Sequence, residues 1–148
     1  MIASAPIRIV TAWMAAVVLA YLLAATFATG AVVLALRRLE VPLDPGTVFG
    51  MVLHDWAGMT GIFLPAVAIG LALALPVAAG LARHRPEWRI GLAVLAGAVA
   101  LVAVHLILKA SFGITPVAVA RTIPGLLSQA VAGAAGGGLY AVLRLRRP

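Results

Sequence analysis

The 148-residue chain has no cysteine. Disulfides, thiol catalysis, iron–sulfur ligation and zinc sites with cysteine ligands are therefore outside its chemistry. Charge is scarce too: 10% of residues carry it, against roughly 25% in an ordinary soluble domain. Paired carboxylates are missing, no serine or threonine sits beside an evident base, and no phosphate-binding glycine loop follows a strand. Nothing in the pattern asks for an enzyme. Alternation with period 2 is also lacking, which argues against a β-barrel.

Apolar residues fill the space instead, at 64% of the chain with a mean hydropathy of +1.15. Such a sequence cannot cover itself with water-compatible surface, so its solvent must largely be lipid. Four apolar runs, at about 9–36, 56–82, 90–108 and 124–143, each come near the roughly 20 residues that cross a bilayer as a helix. The expected architecture is all-α, an integral membrane up-down-up-down four-helix bundle forming one domain over residues 1–148. The first run has Arg8 in front and small residues in "FATGA", as a signal peptide would, but it continues through "AVVLAL" to Arg37 and reads as a retained anchor.

The net charge of +7 does not point to nucleic acid, because the basic residues sit in groups at the ends of apolar runs and no RNA or DNA module is visible. Four spans put both termini on one side. That side holds Arg8, Arg83, Arg85, Arg89, Arg144, Arg146 and Arg147, while the other holds Arg37, Arg38, Lys109 and Arg121 together with Glu40, Asp44 and Asp55. By the positive-inside rule the termini are cytoplasmic. The bias toward alanine, leucine and arginine reads as a GC-rich bacterial genome, and hence an inner (plasma) membrane. Membrane lipids are then the first partners, with a homo-oligomer or a larger membrane complex next.

In lipid, spans associate through close backbone approach and interhelical polar contacts. The stretch "AVAGAAGGGLYA" places Gly133 and Gly137 in GxxxG spacing, with Gly138 alongside. It is expected to pack inside the bundle, or else to form a dimer face. In the second span Pro65 and Pro76 are each expected to free a carbonyl and kink the helix. Pro86 in "RHRPEWR" ends one span and opens the next.

The stretch "FGMVLHDWAG" puts His54 and Asp55 at the outer entrance of the second span. His105 and Lys109, four apart on one face of the third, lie at a similar depth, and Arg121 follows in the next connection. Asp44 before Pro45 and Thr115 before Pro116 read as helix caps, which predicts short interfacial or re-entrant helices near 45–53 and 116–121.

This outer cluster admits three readings. The structural one has Asp55 capping a helix, with Lys109 and Arg121 meeting headgroups. A second makes His54, Asp55, His105, Lys109 and Arg121 a pocket for an anionic headgroup, a quinone-like molecule or a proton. The third uses His54 and His105 as axial ligands of a b-type haem; no other cofactor or metal is indicated. The function expected overall is non-enzymatic, an accessory or structural membrane subunit or a homo-oligomer. The alternative is a lipid-, quinone- or small-molecule-binding or transport protein.

Overall fold

The computed structural model describes residues 5–112 and 118–145. They form five α-helices: α1 (Ala5–Arg38), α2 (Pro45–Gly58), α3 (Phe63–Leu81), α4 (Arg89–Phe112) and α5 (Ile123–Leu145). Single 3₁₀ turns, Pro86–Trp88 and Ala118–Arg121, precede α4 and α5, and no strand occurs among the described residues. α1, α3, α4 with its 3₁₀ turn, and α5 are each long and apolar enough to cross a membrane.

Local chemistry fixes the boundaries. Glu40 at φ 58° ends α1 in a left-handed residue, with Glu40 N–H donating to Arg37 O and Val41 N–H to Leu36 O. This pair of bonds is a Schellman motif, which satisfies α1's last carbonyls and reverses the chain. The Asp44 carboxylate then caps α2, accepting from the N–H groups of Gly46 and Thr47 and from the Thr47 hydroxyl, with Pro45 opening the helix. Those bonds favour the charged carboxylate, so Asp44 titrates below the ordinary aspartate value, the Thr47 hydroxyl being the largest cause. α5 is capped by Thr122, whose Oγ1 accepts from Gly125 N–H.

The second span differs from expectation. The short helix does not stop near residue 53 but runs to Gly58, carrying His54, Asp55 and Trp56 with it, and the long helix begins at Phe63 rather than at Trp56. Residues 59–62 are a turn, in which Phe63 N–H and Leu64 N–H share Met59 O. Helix-weakening Gly58 precedes it and Gly61 lies within it. Pro65 therefore falls in the first turn of α3, where no helical N–H partner is lost, and only Pro76 is interior. Thr115 and Pro116 lie outside the described residues.

The four long helices form a ring in which α1 touches α5, α5 touches α4, α4 touches α3 and α3 returns to α1, while α2 packs on α1. α1 lends the core an alanine at every fourth position, Ala12, Ala16, Ala20, Ala24 and Ala28, all buried. α3 supplies the bulk with Phe63, Val67, Leu71 and Leu75 at the same spacing. Between α4 and α5 the backbones touch. A Cβ on Gly97 would collide with the Gly133 carbonyl, one on Gly133 with the Gly97 carbonyl, and one on Gly137 with the Ala93 carbonyl. Gly136 abuts Ala16 and Ala20 of α1 in the same way. These pairings run in opposite directions along the two helices, so α4 and α5 are antiparallel. The glycine face of α5 is filled by α4 and α1 of its own chain.

Candidate functional site: the polar ties around α2 and His105

Above the glycine seam the bundle is joined by side chains. α2 has no buried residue, yet its C-terminal end is held on α1 by three hydrogen bonds. Tyr21 donates its hydroxyl to Trp56 O at 2.5 Å, and the Trp56 indole N–H donates to Thr26 Oγ1 at 3.1 Å. Thr29 Oγ1 lies within donating distance of two acceptors, Asp55 Oδ2 at 2.6 Å and Ala25 O at 3.1 Å. The three α1 residues occupy successive turns on one face, the spacing needed to meet one helix lying alongside.

His105 is 3% exposed. Its Nδ1–H donates to Leu101 O at 2.8 Å, so in the neutral ring the lone pair lies on Nε2. The ring stands edge-on to Phe63, centroids 5.3 Å apart, and Phe63 in turn packs on Tyr21 at 6.0 Å. Aromatic contacts thus link the imidazole to the residue that holds α2. On α5, Gln129 is fully buried and donates from Nε2 to Ala24 O at 3.0 Å. His105 Nε2 and Gln129 Oε1 are both buried without a hydrogen-bond partner. A buried polar atom left this way costs about 1–3 kcal/mol.

Of the five residues singled out from the sequence, the structure turns only His105 into the core. Asp55 is half-buried on Thr29, whereas His54, Lys109 and Arg121 are exposed. His54 and Asp55 are neighbours on a helix and diverge by about 100°, so the contact that seats Asp55 on α1 turns His54 outward. His54 and His105 thus sit in different environments, one exposed and the other buried against Phe63. Among the described residues no three His, Asp or Glu side chains gather as a metal site. Tyr21, Thr26, Thr29 and Gln129 were not singled out from the sequence. Polar side chains within apolar spans, with Tyr21, Thr26 and Thr29 five and three residues apart, were the available signal.

No family model matches the chain, and neither a curated protein nor a solved structure does.

Proposed function

We propose that the chain is a four-span, up-down-up-down protein of a bacterial inner membrane, with both termini cytoplasmic, and that it acts as a non-enzymatic accessory or structural subunit. One coincidence of depth supports the membrane reading. Arg8, Arg83, Arg89 and Arg144 line one mouth of the ring. A rise of about 1.5 Å per residue and a hydrocarbon core of about 30 Å correspond to about 20 residues. Stepping about 20 residues from each arginine ends at Ala28, Phe63, Lys109 and Pro124. Phe63 is the first residue of α3, Lys109 lies in the last turn of α4, and Pro124 follows the α5 cap. All four helices therefore reach the second interface together.

The subunit reading rests on what lies beyond that interface. α1 continues past Ala28 for about 15 Å, and α2 runs back along it until its last turn, with Trp56 on Thr26 and Tyr21, passes below the level of Ala28. Val32, Leu34, Leu39, Phe49 and Leu53 are exposed in this projecting hairpin. Hydrocarbon does not extend that far, and apolar surface outside it marks a contact with another protein. The binding alternative is favoured by one observation, the buried lone pair of His105 near Phe63, but Lys109 and Arg121 do not converge with it.

The absence of cysteine makes topology directly measurable. Single substitutions Glu40→Cys and Arg85→Cys, labelled in intact cells with a membrane-impermeant maleimide, should react at residue 40 and stay silent at residue 85 until the membrane is opened. The reverse pattern would refute the orientation. A photo-crosslinker at Phe49 should give protein adducts where one at lipid-facing Leu73 gives none; lipid adducts alone at residue 49 would refute the subunit role.

A further inference from the structure

His105 carries a buried acceptor that the packing leaves unused. The ring is 3% exposed and commits Nδ1–H to Leu101 O, while Nε2 has no hydrogen-bond partner. A position that only had to be filled would be better served by phenylalanine or leucine, since an unsatisfied buried polar atom is a standing cost. What covers the ring decides what can reach that nitrogen.

On one side the cover is a chain of three residues. Phe63 stands edge-on to the imidazole at 5.3 Å, Tyr21 packs on Phe63 at 6.0 Å, and the Tyr21 hydroxyl donates to Trp56 O in the last turn of α2. Met59, just after that turn, also packs on the core, and its carbonyl accepts from the N–H groups of Phe63 and Leu64. Phe63 is thus joined to the end of α2 twice, through the ring of Tyr21 and through the backbone. A movement of that end moves Phe63.

α2 is also built to move. None of its residues is buried, and among the described residues the hydrogen bonds that hold it to α1 all lie at Asp55 and Trp56. Gly58 and Gly61, at the turn beyond, have open space where a Cβ would stand, and neither has the positive φ that demands glycine. Packing and backbone angle leave both glycines unexplained, whereas a pivot uses the freedom they give the chain. The Asp44 cap binds Gly46 and Thr47 within the same segment and travels with it.

We infer that α2 is a strap over His105: when Asp55 and Trp56 part from α1, the 59–62 turn swings, Phe63 shifts with it, and the imidazole lone pair becomes reachable from outside the bundle. The site so opened is a neutral imidazole nitrogen, and the ligand class that suits it is a hydrogen-bond donor. The glycine contacts that close the α4–α5 seam involve no residue of α2, so the opening is local.

The test is the rate at which diethyl pyrocarbonate, an electrophile that acylates unprotonated imidazole nitrogen, modifies His105. The full chain in mild detergent carries His54→Gln/His84→Gln, both at exposed positions, so that His105 is the only histidine. In this background the folded chain should react slowly, and Tyr21→Phe/Thr29→Val, which removes two ties, should react about tenfold faster or more. Amide exchange in α4 and α5 should not change. Tyr140→Phe, which removes a bond to Arg144 at the opposite end of the bundle, should leave the rate as it was. Should the double variant unfold, Tyr21→Phe alone replaces it, keeping its ring against Phe63. An unchanged rate in the tie variants, or equal acceleration by Tyr140→Phe, would overturn the strap. So would acceleration that comes only with lost protection in α4 and α5, because His105 would then be reached by unfolding.

Discussion

The α4–α5 seam and the α1–α2 seam hold helices together by opposite means. In the first, Gly97, Gly133 and Gly137 bring backbone against backbone, so attraction is spread over many close atom pairs and no side chain can be added. In the second, a helix without a single buried residue is tied on by Tyr21, Thr26 and Thr29. A seam of backbone contact is dense and intolerant of change. One of discrete hydrogen bonds is specific, and each bond can be removed without displacing its neighbours. The first suits a fixed contact, the second one that can be undone bond by bond.

Substitution should expose that contrast most sharply at Gly97. Gly97→Leu drives a side chain into the Gly133 carbonyl, where neither backbone can retreat without parting the helices, and the expected cost is above about 3 kcal/mol. Thermal unfolding in detergent measures it. Gly30, with open space around its Cβ position, should tolerate Gly30→Ala and gain slightly from helix propensity. A mild Gly97→Leu would dissolve the distinction between the seams.

The ties of α2 should each be worth less. Tyr21→Phe removes the bond to Trp56 O, and Thr29→Val the bond to Asp55, at about 0.5–3 kcal/mol apiece. The spectroscopic sign should be local, a faster amide exchange in α2 with α4 and α5 unchanged. A global loss of protection would mean that the two seams are one cooperative unit.

Smaller effects are expected in the turn that reverses α1 into α2. Glu40→Gly relieves a left-handed residue and should stabilise by about 1 kcal/mol. Asp44→Ala should fray the start of α2, read as lost helical signal. Asp44 is held below its usual pKa by the folded cap, so the stability it contributes is full above the unfolded value, near pH 4, and disappears as pH falls through the lower folded value. Acidification should thus loosen α2 before it touches the glycine seam.

Much of this was legible in the sequence, for physical reasons that differ by element. The four apolar runs correspond to the four long helices because length and hydropathy alone decide whether a helix can cross a membrane. Asp44–Pro45 and Pro86 mark helix starts, since capping and the missing proline N–H are local effects. The break at residues 59–62 was not legible, because the apolar run passes through it and the sequence offered Pro65 as the kink instead. Within the candidate site, His105 and Lys109 share a nominal face, yet one is buried and the other exposed. Side-chain burial near a helix end depends on where the neighbouring helix stops, which spacing cannot supply. Gln129 found its acceptor on Ala24 and the four arginines found one another only through tertiary contact.

A depth profile would test the central claim, that the bundle is immersed between the arginine mouth and the level of Phe63 and Lys109 while the α1–α2 hairpin stands beyond it. Single cysteines at the exposed positions Val10, Val18, Leu34 and Phe49 can carry nitroxides in lipid bilayers, with collisions against oxygen and a water-soluble nickel complex giving the depth of each. The expected profile has Val18 deepest, Val10 near the inner interface, and Leu34 and Phe49 accessible to the nickel complex. Leu34 and Phe49 as deep as Val18 would contradict it.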